Sequence, residues 1–323
     1  MLTERLIKVI IITQINSSRD KIMKYKIVVD SCCDLTTDMK NWNDFEVVPL
    51  SLEIADYHIF DDANFDQDDF ISRMKANGGN AKSACPAPDA FKKAYEGEYE
   101  AVFVLTITDK LSGTFNSALQ GKMLYEEEFD DDKKIIVFNS LATSGLETIV
   151  AKKIKELADS GLNADEIEAK INNYIVNNTG LYFCLESLDA LKNNGRLFAL
   201  AAKVLEKIRV KLICKRTTEG NISLAAQDIT LNRAMMKMSN LIAEELKGKD
   251  LSNETLIVTY VCCKERAQQV ADKVCEKAHF GKVEVIKASG LNSLYASDGG
   301  IIVSCSFCIN KESYMVRTLT DSI

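Results

Sequence analysis

Apolar and polar positions alternate in blocks through the first half of the chain. Apolar runs of strand length lie at 26–30, 46–54, 101–108 and 134–140. Between them, helical periodicity predicts helices near 66–77, 87–96, 114–128 and 143–159. Such alternation predicts an α/β unit, a mostly parallel sheet with helices on both faces. Asn163-Ala164-Asp165-Glu166 supplies a cap and first-turn acids, which predicts a helix running to about Asn177. Asn177-Asn178-Thr179-Gly180 then breaks the pattern.

Beyond the break the pattern changes. A strand at 179–186 is followed by two helical segments to about Ile208, then short strands at 210–215 and 221–227. Thr217-Thr218-Glu219-Gly220 between those strands is a hairpin signal, with Gly220 free to take positive φ. A long helix at 230–247, a strand at 254–261, a helix at 264–278 and strands at 282–287 and 300–309 complete the pattern. Hairpin strands plus helices predict an α+β domain on a mixed sheet. The expected division is an N-terminal extension at 1–22, an α/β domain at 23–178 and the α+β domain at 179–323. Met23 stands directly before the first good strand, so residues 1–22 read as an extension ahead of an in-frame start.

Composition narrows the function classes. A chain of 323 residues with 46% hydrophobic and 27% charged positions has the balance of a soluble globular protein. A formal net charge of −7 argues against a nucleic-acid partner, because such binding leans on Lys and Arg to neutralise phosphates. The apolar run Leu6–Ile12 is too short to span a membrane. Ten cysteines lack a disulfide spacing and fit reduced thiols in a cytoplasmic protein. Cys305 and Cys308 have CxxC spacing but lie in a strand pattern, so they read as small buried hydrophobes rather than metal ligands. Neither a metal nor a cofactor is expected.

In an open α/β sheet, ligands gather at the carboxyl ends of the strands. Those ends carry Asp30-Ser31, Ser112 to Thr114 and Asn139-Ser140, and the loop Lys82–Pro88 leads into another helix. Leu111-Ser112-Gly113-Thr114 is the most informative of these, because the first amides of the following helix are free to meet an anion. A serine hydrolase would need a base and an elbow motif. The chain has no Gly-x-Ser-x-Gly and only His58, in a surface strand or hairpin pattern, and His279, at a helix end. Phosphate-loop and dinucleotide fingerprints are also missing from the sequence. Asp30, Asp34 and Asp61-Asp62 remain available for acid–base work. The turn therefore reads as a binding element.

Several motifs in one order resemble the DegV family. They are Val28–Leu35, Val47-Val48-Pro49-Leu50, Ser83–Pro88, Leu111–Ala118, Asn139-Ser140, Asn194-Gly195-Arg196 and Lys207–Leu212, followed by the Gly220 hairpin. The resemblance runs over nearly the whole chain from Met23. It implies a two-domain, non-enzymatic protein holding one long-chain fatty acid between its domains. A separate dihydroxyacetone-kinase-like fatty acid kinase is the implied partner, phosphorylating the carboxylate, and transient membrane contact would serve lipid exchange. Carried over by motif, Ser83 and Ser112 hold the carboxylate, with Gly113, Thr114 and Ser31 in the neighbouring turns. Arg196, in Asn-Gly-Arg where the family has Gly-Gly-Arg, belongs at the pocket mouth or the kinase-docking face. Tyr295 stands where the family carries a histidine, and Ala84 and Ala87 replace common hydroxyls. Two other readings stay open. One is an enzyme acting on an acyl or phosphorylated small molecule, with Asp30 or Asp298 as catalyst. The other is a degenerate member whose pocket is filled by side chains.

Overall fold

The computed structural model describes residues 23–196 and 210–308. Expectations for 1–22, for the segment leading to Ile208 and for the last residues lie outside these ranges.

The first sheet has the order β2-β1-β6-β7 and is parallel throughout: β1 (Tyr25–Asp30), β2 (Phe45–Val48), β6 (Ala101–Thr106) and β7 (Lys134–Asn139). Its central strands read as continuous apolar runs because both faces are covered. Val28, Val102 and Val104 pack on one side against Phe91 of α2 (Pro88–Ala94), Tyr95 just past its end, and Ala118 and Tyr125 of α3 (Thr114–Glu128). Ile27, Val29, Phe103 and Leu105 face the other way, into the core formed with α4 (Gly145–Asp159) and α5 (Ala164–Asn177). The expected Asn163 cap of α5 is present as a reciprocal capping box with Glu166.

The apolar run 46–54 is two strands, not one. Pro49 has no amide to give a ladder, so the chain leaves the parallel sheet and restarts as β3 (Ser51–Ile54). β3 pairs with β4 (Tyr57–Phe60) and with β5 (Lys82–Ala84) in a small antiparallel sheet. The segment read as the loop Lys82–Pro88 therefore begins as a strand, and that strand fixes Ser83. α1 (Gln67–Ala76) connects β4 to β5.

The second sheet, of order β10-β9-β8-β13-β11-β12, is mixed as expected. It comprises β8 (Thr179–Cys184), β9 (Lys211–Arg216), β10 (Ile222–Asp228), β11 (Thr255–Tyr260), β12 (Lys282–Lys287) and β13 (Ile301–Ser306). Only β11 and β12 run parallel. The short helix α6 (Asp189–Asn193) follows β8, and α7 (Leu231–Glu245) and α8 (Lys264–Cys275) cover the sheet's outer face. α9 (Gly290–Ala296) precedes β13. Gly220 takes φ 83° at the β9–β10 hairpin tip.

α4 lies between the two sheets, touching strands of both. A Cβ on its first residue, Gly145, would sit 2.7 Å from Ile257 Cγ2 of β11, so glycine is what lets this helix start against the second sheet. All ten cysteines are free thiols. Cys305 is buried as expected, but Cys308 is exposed beyond the end of β13, where its thiol donates to Glu254. Among the described residues no helix is long and apolar enough to cross a membrane.

Candidate functional site

Residues just past the carboxyl ends of β6 and β7 meet residues of the second sheet around a cavity of about 280 Å³. That volume is near the small end of ordinary ligand pockets, roughly 300–1,000 Å³. Leu181 and Phe183, alternate residues from one face of β8, and Leu185 just beyond its end supply one wall. Ile107, Leu111, Leu141, Leu291 and Ile302 add further apolar surface. The lining is not a solid plug of side chains, which disfavours the filled-pocket reading.

Polar groups concentrate where two loops meet. Ser83, on β5, is half-buried, and its Oγ lies 3.0 Å from the Tyr295 hydroxyl. Gly113 stands across from Cys85, two residues past Ser83: a Cβ at 113 would lie 3.4 Å from the Cys85 sulfur. Ser112 and Gly113 themselves line the cavity. Ser112 Oγ is 2.8 Å from Thr114 Oγ1 and accepts the Thr114 amide at 3.3 Å, so it caps α3 as well as facing the cavity. Arg196 also lines the cavity; its Nε donates to the Leu111 carbonyl at 3.2 Å and its Nη1 to Asn194. The guanidinium thereby braces the turn that carries Ser112.

Four of the seven expected positions thus contribute side chains to one cavity: Ser83, Ser112, Arg196 and Tyr295, with Gly113 adding backbone. Thr114 and Ser31 do not line it. Thr114 is fully buried behind Ser112, and Ser31 is buried behind β3, where its hydroxyl accepts the Leu50 amide at 3.1 Å and bonds Asp61. Gly113 has φ −76° and room for a Cβ, so neither backbone nor packing demands glycine there; its value lies in open access to the turn.

The aspartates considered for acid–base work have a different task. Asp30 accepts the amides of Cys32 and Ile107, both at 2.8 Å, and so pins the ends of β1 and β6 together. Asp34 accepts Ser144 Oγ at 2.5 Å, the Ser289 amide at 2.7 Å and Asn292 Nδ2 at 2.9 Å. Asp61 accepts the amides of Gly290 and Leu291 at 2.6 and 2.8 Å. Burial pushes all three carboxyls up, Asp30 to about 6 and Asp61 to about 7, against the pull of these donors. They fasten the loops that form the cavity, and none of them lines it. Asp298, the other acid considered as a catalyst, pairs with Lys75 instead. No carboxylate is among the described lining residues.

Sequence reasoning missed Thr108, Thr143, Asn221, Asn292 and Arg216, all of which line the cavity. Thr108 closes the expected strand 101–108 and Thr143 opens the helix expected after the strand 134–140, so the strand-end rule could have found them. Asn221 and Arg216 come from the hairpin that folds over the cavity, where Thr108 Oγ1 donates to the Gly220 carbonyl at 3.1 Å. Asp30, Cys32 and Glu147 bring one ligand atom each within 4.8 Å of one another, a spacing that would also suit a cation. All three are fully buried under the loops.

A model of the family described as uncharacterised proteins of the DegV family matches residues 24–304. A DegV domain-containing protein of Streptococcus pneumoniae is 32% identical over 284 residues, covering 87% of this chain and 98% of that protein. Among solved structures, a DegV family protein from Ruminococcus gnavus, refined with vaccenic acid, superposes with a TM-score of 0.82 at 33% identity. It aligns to 87% of this chain and 99% of its own. The Streptococcus pneumoniae fatty acid kinase B3 protein, loaded with linoleic acid, gives 0.78 at 30% identity, over 88% of this chain and 100% of its own.

Proposed function

The chain belongs to the DegV family, and from that premise we propose that it binds one long-chain fatty acid in the cavity between its two sheets. The observation that carries this reading is the mixed lining: hydroxyls of Ser83 and Tyr295 in contact, Ser112 on the adjoining turn, and leucine and phenylalanine along the β8 wall. Relatives crystallised with vaccenic and linoleic acids support it.

A carboxylate leaving water needs several donors, because an unpaired buried anion is costly. Ser83, Ser112 and Tyr295 supply hydroxyl donors, and the start of α3 adds a favourable dipole. Tyr295 takes the place of a histidine and adds no positive charge near neutral pH. The acyl chain lies along Leu181, Phe183 and Leu185, gaining about 0.8 kcal/mol per buried methylene. Neutral donors hold the anion without acting as a nucleophile or base. The protein is accordingly a binding subunit that presents the acid to a separate fatty acid kinase for acyl-phosphate formation.

Native mass spectrometry of the protein as isolated is expected to show one bound acid of long-chain mass; a ligand-free chain after gentle purification would count against the reading. Ser112→Ala removes a charge-assisted hydrogen bond, and about 10-fold weaker acyl binding is expected. Isothermal titration with a long-chain acid measures it, and unchanged affinity would remove Ser112 from the head-group site.

A further inference from the structure

Arg216 is out of place in an acyl slot. It is the last residue of β9, it lines the cavity, and its neighbours there include Leu181, Phe183 and Ile222. One of its two terminal nitrogens is tied down. Nη2 donates to the carbonyls of Ile175 and Thr179 at 2.7 and 2.6 Å and to Thr179 Oγ1 at 2.7 Å, which fixes the guanidinium beside the start of β8. Nη1 is buried without any hydrogen-bond acceptor. A guanidinium stays charged in a protein, and a buried charge left unpaired is expensive.

Among the described residues no carboxylate pairs with it, and the carbonyls of Ile175 and Thr179 meet only Nη2. The groups that act on it electrostatically are the Cys305 thiol and the Tyr182 phenol. Burial keeps both in their neutral forms, with Cys305 pushed up to about 12. Uncompensated burial pulls Arg216 itself down to about 10, still cationic at neutral pH. No acid is among the described lining residues.

Its position matters as much as its charge. Arg216 is anchored at Thr179, where β8 begins, and Leu181 and Phe183 along that strand, then Leu185 just beyond it, line the cavity. The six residue steps from Thr179 to Leu185 cover ~20 Å. At the far end Leu191 and Arg196 join the lining, and Asn194 Nδ2 donates to the Ala81 carbonyl, drawing in the strand that carries Ser83. Ser83 and Arg216 therefore lie toward opposite ends of the wall that β8 begins.

We propose that Arg216 is a second anion-binding point, and that the preferred ligand is a long-chain acid bearing another carboxylate at the far end, an α,ω-dicarboxylic acid. The proposal rests on the acyl-binding reading above and specifies its substrate class. The head carboxylate takes the Ser83, Ser112 and Tyr295 hydroxyls, and the distal one takes Nη1 as the guanidinium turns toward the cavity. A structural clasp for the end of α5 would need only the Nη2 bonds already made.

The test compares hexadecanedioic acid with hexadecanoic acid on delipidated protein by isothermal titration. The native chain is expected to bind the diacid at least about 10-fold more tightly, one charge-assisted hydrogen bond's worth. Arg216→Met should bring the ratio to one or below, while Arg216→Lys, which keeps the cation, should retain part of the preference. Thermal unfolding of each variant confirms that it is folded. Should Arg216→Met not fold, the lysine variant and the native ratio still decide. Equal or weaker diacid binding by the native chain, with hexadecanoic acid bound normally, overturns the second site and leaves the acyl-binding reading intact. Binding of neither acid overturns both.

Discussion

Asp61→Ala is expected to lower folding stability by about 3 kcal/mol, although Asp61 touches no ligand. Asp61 is 4% exposed, and its carboxyl accepts the first amides of α9, from Gly290 and Leu291. Truncation leaves both buried amide donors unsatisfied, at roughly 1–3 kcal/mol each. The burial that pushes Asp61 up to about 7 offsets part of this, which sets the net near one and a half orphaned donors. Packing leaves no room for a substitute: a Cβ on Gly290 would lie 2.6 Å from Asp61 Oδ1. Because α9 carries Tyr295 and Asn292, acyl retention should fall together with stability. Asp61→Asn keeps one acceptor and should lose less. The pH trend is also fixed in sign. With its carboxyl raised in the folded state, the protein holds a proton there that the unfolded chain releases above about pH 4. Asp61 therefore contributes most at low pH, and its contribution shrinks as pH rises to about 7. Urea unfolding at pH 5 and pH 8 measures both effects. A loss under 0.5 kcal/mol in the alanine variant would sink the clamp.

The α/β layering was readable because buried parallel strands such as β1 and β6 are unbroken apolar runs, and the capping box at Asn163 is a purely local signal. Ser112 was readable for the same reason: a strand, a turn and a helix follow in immediate succession. What could not be read depends on contacts remote in sequence. Asp30, Asp34 and Asp61 look alike as acids, and only the approach of residues 107, 144 and 289–291 makes them fasteners. Arg216 follows Lys215 in a hairpin and has the local pattern of a solvated strand end. The packing of α5 against that hairpin is what buries it. Ser31 misled for the converse reason, since a hydroxyl at a strand end also suits a structural bond to the next strand. Pro49 carried a usable signal, a missing amide in mid-run, that splits β2 from β3.

Glu147 has the local signature of an exposed first-turn acid on α4, yet it is fully buried and neither carboxylate oxygen meets a hydrogen-bond donor. Its neighbour Asp30 has both oxygens occupied by backbone amides. The groups facing Glu147 are the Asp30 and Asp34 carboxyls and the thiols of Cys32 and Cys33, with no cation among them. Two like charges this close in a dry interior are untenable, so one proton must stay. Burial, then Asp30 and Asp34, pushes Glu147 well above the ordinary carboxylate range, and as a neutral acid it donates to Asp30. The sign follows from linkage. Above about pH 4 the folded chain keeps a proton that the unfolded chain loses, so stability declines as pH rises. Glu147→Gln has the same shape, supplies an N–H toward Asp30 and cannot ionise. It should match the native chain near pH 4 and exceed it at pH 8 by more than about 1.4 kcal/mol, the equivalent of one pKa unit. Urea midpoints across pH 4–8.5 should show a flatter profile for the variant. A parallel profile would overturn the proton-holding role, and stability lost from the native chain on adding a chelator would instead make Glu147 a cation ligand beside Asp30 and Cys32.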